Sequence, residues 1–169
     1  SYRNRCLIYS ANGVLPLSIP VEKKGKTYMR EVGIDTKSDW KTSHWRAISS
    51  AYNSSPFFEF YSDELKKVFF TEHNSLIEFN TCLLIHICKE IGMSSKLKTN
   101  STYIDVEDRD TDLRSILNPK SKYDIAIELP RYIQIFEAKH GYIENLSILD
   151  LLFHEGPETY NYLKRLKLK

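Results

Sequence analysis

Four stretches of the chain carry side chains able to bind or transform a ligand. The first is Arg3-Asn4-Arg5, which leads into an apolar run. In extended backbone Arg3 and Arg5 face one side and Asn4 and Cys6 the other. Two guanidinium forks on one face can hold a phosphate or carboxylate bidentately. Solvated guanidinium groups, or pairs with acids elsewhere in the fold, would also account for them. The second stretch is His44-Trp45-Arg46. An imidazole titrates near neutral pH, so His44 suits a general base. A His beside an apolar ladder is nonetheless more often a satisfied structural residue. Arg46 falls on a different face of the same helix, so the two need not share a site.

The third stretch is the acidic run Asp105, Glu107, Asp108, Asp110 and Asp112. Its alternating oxygens suggest a calcium loop, but it lacks the central Gly and the closing Glu, and Arg109 intrudes. A solvated loop with internal Arg–carboxylate pairs is expected instead, and no metal. The fourth runs from Gln134 to Pro157 and places Gln134, His140, Asn145, Asp150 and Glu155 around one apolar helix. Several of these polar groups are expected to converge on a pocket. Ser147 with Asp150 three residues on also resembles a capping box, with Asp in place of Glu, and Asp150 suits the positive end of the helix.

The familiar signatures are absent: no phosphate-binding glycine loop, dinucleotide fingerprint, zinc-protease helix, nucleophile elbow or paired CxxC. No cofactor is therefore expected, and any site must be assembled from scattered residues. Cys6, Cys82 and Cys88 are odd in number and form no disulfide or zinc pattern, which suits reduced thiols. The net charge of +2 is too small for a nucleic-acid partner. The basic cluster Lys23, Lys24 and Lys26 and the basic C-terminal tail read as solvated charge. No apolar run reaches a membrane span and no signal peptide is visible, so a cytoplasmic location is expected. The chain opens on Ser rather than Met, which points to processing or trimming.

The elements that must position these residues follow from periodicity. At 169 residues the chain suits one domain, 1–169, with a core of its own. Arg5 to Tyr9 and Val14 to Val21 read as strands, with Asn12-Gly13 as a type I′ hairpin turn. Glu31 to Asp35 is a short strand. Residues 39–53 read as a helix that Pro56 ends. Ser62 is a good N-cap for a short second helix. Residues 75–91 form the clearest helix, whose wide apolar face of Leu76, Phe79, Leu83, Leu84, Ile87 and Ile91 is expected at the centre of the core. Lys98 to Asp105, Asp124 to Leu129 and Tyr132 to Phe136 read as extended. Ser147 to Phe153 is a helix that Gly156-Pro157 ends, and another starts at Glu158. Strands at both ends of a helical middle predict an α+β fold: an N-terminal β-hairpin and short strands, a central helical layer, then C-terminal strands and helices.

Asn145-Leu-Ser-Ile-Leu-Asp-Leu-Leu-Phe153 followed by Gly156-Pro157 resembles the closing signature of the WbqC-like family. Arg3-Asn4-Arg5, Asn12-Gly13, Ile19-Pro20-Val21, Asp39-Trp40, His44-Trp45-Arg46 and Ala51-Tyr52 are similar to it as well. The resemblance implies a bacterial O-antigen or capsule gene cluster and transfer of a glycyl or similar acyl group to an amino sugar. A nucleotide-sugar substrate is then expected. The resemblance brings no catalytic residues with it; from their own chemistry His44 and Asp150 are expected to be catalytic, and Arg3, Asn4, Arg5, Arg46, Gln134, Asn145 and Ser147 to bind substrate. A non-catalytic binding or scaffold protein of the same pathway is the alternative, expected to show an exposed aromatic patch and no concave polar pocket. The family carries a further stretch ahead of the Arg-Asn-Arg strand that this chain lacks. An exposed strand edge is then expected to pair with a partner or a second copy.

Overall fold

The computed structural model describes residues 2–22, 28–94, 97–98 and 127–168. The acidic run, the lysines at 23, 24 and 26, and most of the extended stretches expected over 98–105 and 124–129 lie outside them. The fold is α+β, with helices and short antiparallel strands.

Strands β1 (Arg5–Ser10) and β2 (Gly13–Ser18) form the hairpin, in the register Arg5 opposite Ser18 and Ser10 opposite Gly13. The turn differs from the type I′ expectation. Its central residues are Ala11 and Asn12, and positive φ occurs one residue later, at Gly13 (φ 99°). The Ser10 hydroxyl explains the shift: it donates to the Gly13 carbonyl (2.8 Å) and accepts from Asn12 N–H (3.3 Å), so it caps the turn locally. β2 stops at Ser18, and Val21–Glu22 (β3) pairs separately with Gly33–Ile34 (β4). A 3-10 turn at Met29–Glu31 takes the front of the strand expected there.

Helix α1 (Trp40–Tyr52) buries Trp40, Ile48, Ala51 and Tyr52 along one stripe. Helix α2 spans Phe58–Phe70 and begins before Ser62, the expected cap. Burial of Phe58 and Tyr61 on the same stripe as Leu65 and Phe69 outweighs a cap at Ser62. Helix α3 (Leu76–Glu90) is capped by Ser75 Oγ, which accepts from Glu78 N–H. It is not the centre of the core: Leu84 and Ile85 are 46% and 48% exposed. That centre lies where α5 (Ile148–Glu155) runs against β1, α1 and α2, with Phe153 packed edge-on to Phe58 and tilted on Tyr52. Asp150 to Phe153 are four consecutive buried residues, so α5 is enclosed on every side. A second, aromatic cluster joins Trp40, Phe69 and Phe79 to Ile34 and Leu76, and Trp45 and Leu83 touch both.

The C-terminal part adds β5 (Ile127–Glu128), α4 (Glu137–His140), a 3-10 turn at Gly156–Glu158, α6 (Thr159–Lys164) and β6 (Lys167–Leu168). β5 pairs with β6. Tyr132 to Gln134, expected as strand, belongs to no sheet because its polar groups bond elsewhere. Gly156 ends α5 at φ 53°, and a Cβ there would meet the Phe57 ring at 2.5 to 2.7 Å. Gly156→Ala is therefore expected to lower stability by roughly 2–4 kcal/mol, from left-handed strain and overpacking together. Urea unfolding checks this, and Gly92→Ala, also at positive φ but with open space around it, should cost less.

Candidate functional site

The start of the hairpin, α1, α2 and α3 surround a cavity of about 170 Å³. Its deep wall is apolar: Ile48, Leu65, Phe69 and Phe79 are buried and line it with Leu83 and Ile87. Its mouth is polar, with exposed Arg3 and Arg5, and with Asn80 from α3. His44 projects into it from α1, and Cys6 and Ser147 line it from β1 and the entry to α5.

Each polar group has a local reason for its place. Asn4 clamps the open end of the hairpin: its side-chain Nδ2 donates to the Ile19 carbonyl (3.0 Å) and its backbone carbonyl accepts from Ile19 N–H (2.8 Å). Arg5 Nε donates to Ser18 Oγ (3.1 Å), and its two terminal nitrogens bond nothing among the described residues. Asn80 Nδ2 donates to the Arg3 carbonyl (2.7 Å) and so fixes the chain ahead of β1. His44 rests edge-on against Trp40, with ring centres 5.3 Å apart. Its burial lowers its pKa from the ordinary value, which keeps the imidazole neutral with a lone pair at neutral pH. Burial pushes the Cys6 thiol up, against a hydrogen bond with Ser147, so the thiol stays protonated and is a poor nucleophile.

Behind the cavity lies a second group of polar residues, built on Asp150 at 0% exposure. Tyr132 Oη donates to Asp150 Oδ2 (2.6 Å), and Gln134 Nε2 approaches the same oxygen at 3.4 Å. Gln134 also pairs with the backbone of Ile143 in both directions, at 2.8 and 2.9 Å. Ile135 N–H donates to His154 Nε2 (3.0 Å), so Nδ1 carries the proton and donates to the Asp150 carbonyl (2.7 Å). Tyr52 accepts from Tyr9 N–H, and Tyr9 Oη donates toward the Phe136 and Gly141 carbonyls. Burial and then the negative charge of Asp150 raise the pKa of both Tyr52 and Tyr132. Asp150 Oδ1 has no partner among the described residues.

Of the sequence-selected residues, Arg3, Asn4, Arg5, His44 and Ser147 come together on the cavity. Asp150 and Gln134 bond each other behind it. Asp150 does not reach back as a capping-box residue; Ser147 Oγ accepts instead from Leu149 N–H (3.4 Å). Asn145 is exposed at φ 57°, a conformation Asn tolerates better than most residues. Arg46 is exposed on the opposite face of α1 from Ile48, and His140 bonds the Ala11 carbonyl at the hairpin tip. Sequence reasoning passed over Cys6, Asn80, Tyr132 and His154. His154 stands one helical turn after Asp150, and Tyr132 shares a side with Gln134 in extended chain, so both carried a weak spacing signal. Among the described residues no cluster of three or more His, Cys, Asp or Glu could hold a metal ion, and no helix is long and apolar enough to cross a membrane.

The hairpin, the three helices that follow and all but two of the cavity residues fall within the stretch matched by one family model. The chain belongs to the WbqC-like protein family, whose model matches residues 1–125. The uncharacterized protein Rv1507c of Mycobacterium tuberculosis (strain ATCC 25618 / H37Rv) is 28% identical over 190 residues. That alignment takes in 96% of this chain and 81% of the relative, and so extends over the 145–157 passage that the family model leaves out. No solved structure matches the chain.

Asp150→Ala is expected to destabilise the protein by roughly 2–4 kcal/mol, because Tyr132 and Gln134 are left with buried donors. Asp150→Asn keeps an acceptor and should cost less; equal losses in urea unfolding would contradict the hydrogen-bond account. His44 gives a pH-dependent prediction. Its folded pKa lies below the unfolded value of about 6.5. The unfolded chain therefore takes up a proton first, and stability falls as pH drops through that value. His44→Gln should lose less stability than the parent between pH 7 and pH 5, read from urea midpoints.

Proposed function

We propose that this protein is an acyl or aminoacyl transferase of bacterial surface-polysaccharide biosynthesis, acting in the cytoplasm on a nucleotide-linked amino sugar. Family membership supports the pathway. The observation that carries the chemistry is a neutral His44 inside an apolar cavity whose mouth is cationic.

In this reading the phosphates of the nucleotide-sugar rest at Arg3 and Arg5, where planar forks match phosphate oxygens. The sugar amine then faces His44. Its nitrogen lone pair attacks the carbonyl carbon of an activated acyl donor, a thioester or acyl phosphate. The new C–N bond forms as the bond to the leaving group breaks, and the leaving group departs with that electron pair. His44 takes the proton released by the amine and returns it to the leaving group. Such a reaction needs deprotonation and positioning more than a dedicated motif, which suits a site built from scattered residues. Asp150 and Gln134 act as positioning residues. They hold the 130–143 segment against α5, and Ser147 just ahead of α5 is tied to β1 through its N–H to the Leu7 carbonyl (2.7 Å).

A non-catalytic assembly role has one observation in its favour, the exposure of Phe60 (75%) and Ile133 (81%). Turnover separates the two. His44→Ala is expected to reduce amide formation from acyl thioesters and nucleotide-linked amino sugars by about 100-fold or more while the thermal midpoint stays within a few degrees. Unchanged turnover would remove His44 from the chemistry. Absence of turnover in the parent chain with every donor would favour the assembly role.

A further inference from the structure

We infer that the acyl group this cavity accepts is an uncharged apolar chain of about four to six carbons, and not a glycyl or other ammonium-bearing group. The inference rests on the transferase reading of the same site and narrows its donor.

Three properties of the cavity lead there. Size comes first: about 170 Å³ is close to the roughly 150 Å³ of an apolar protein cavity that takes up one benzene. A four- to six-carbon chain occupies similar space, whereas an acetyl group leaves most of it empty and an eight-carbon chain overfills it. Wall chemistry comes second. Ile48, Leu65, Phe69, Phe79, Leu83 and Ile87 offer a bound ligand only carbon, and an alkyl chain leaving water for such a surface is favoured. Charge comes third. Among the described residues lining the cavity none is Asp or Glu, while Arg3 and Arg5 stand at its mouth and His44 is held uncharged. A glycyl α-ammonium would enter a low-dielectric space with no carboxylate among the described lining residues and two arginines at its entrance, at a heavy desolvation cost. A neutral alkyl tail meets no such barrier.

The test uses the intact chain and straight-chain carboxylates from two to ten carbons, with glycine and 4-aminobutyrate as ammonium-bearing controls. Binding is read by ligand-observed NMR and by the rise of the thermal midpoint with ligand concentration. Affinity should rise about fourfold per methylene, the equivalent of ~0.8 kcal/mol each, up to five or six carbons. It should then fall, with the two ammonium compounds binding least. Ile87→Phe, which adds volume to the wall, should move the optimum to shorter chains. A flat series, or glycine binding as well as hexanoate, would overturn the inference. The two readings fail separately. Faster turnover with a glycyl thioester than with a hexanoyl thioester sinks the apolar assignment and keeps the transferase. A six-carbon binding optimum without turnover of any acyl thioester or acyl phosphate keeps an apolar-chain site and sinks the transferase.

Discussion

Burial of the Asp150 carboxyl is the constraint on which the rest of the structure depends. A carboxyl at 0% exposure costs several kcal/mol unless polar partners replace its water. Those partners come from a segment with little regular structure of its own. Tyr132 and Gln134 reach Asp150, Gln134 closes a two-way bond with Ile143, and His154 takes the Ile135 N–H. The irregular stretch from 130 to 143 is thereby fixed to α5 by polar contacts, while Phe153 fixes α5 to the aromatic core. Ser147 bonds the Leu7 backbone, and this sets where α5 enters relative to the hairpin. The cavity on the far side inherits its wall from that arrangement, since Ser147 and Leu149 are part of it.

The candidate site divides into a cavity and a polar support behind it. A sequence search for clustered polar groups around α5 finds the support, because Gln134 and Asp150 are close in the chain and near a strong apolar helix. The polar groups that line the cavity are spread over the chain: Arg5 and Cys6 on β1, His44 on α1, Asn80 on α3. Only topology brings these together. This accounts for the absence of a compact motif in a site proposed for amine acylation, which asks for one base and good positioning.

The helices α1, α3 and α5 were legible within a residue or two, since each has a strong 3.6-residue apolar period, and the hairpin was legible from alternation and Asn12-Gly13. Failures occurred where a local signal met a tertiary one. Ser62 looks like a cap, yet α2 starts earlier because Phe58 has a place in the core. The apolar face of α3 predicted a central helix, but periodicity cannot separate a face pressed into the core from one that borders a cavity, as Leu83 and Ile87 do. Ser10 moved the hairpin turn by one residue through a side-chain bond that spacing does not reveal. Arg3, Asn4, Arg5 and His44 were identifiable as residue types, and Tyr132 and His154 were not, because their roles depend on partners that folding delivers from another element: the Asp150 carboxylate for Tyr132 and the Ile135 N–H for His154.

The proposed site has one titratable group at its centre, so the most direct measurement is carbon–proton NMR of the five histidine rings during a pH titration. It is run with and without a nucleotide-linked amino sugar at saturating concentration. His44 is expected to titrate below the ordinary histidine range in the free protein, as its burial dictates. Its ring signals should move on addition of the sugar nucleotide while those of His154 stay in place. A His44 that titrates like an exposed histidine and ignores the ligand would contradict the assignment, most clearly if His73, which borders a separate hollow at the start of α1, responded instead.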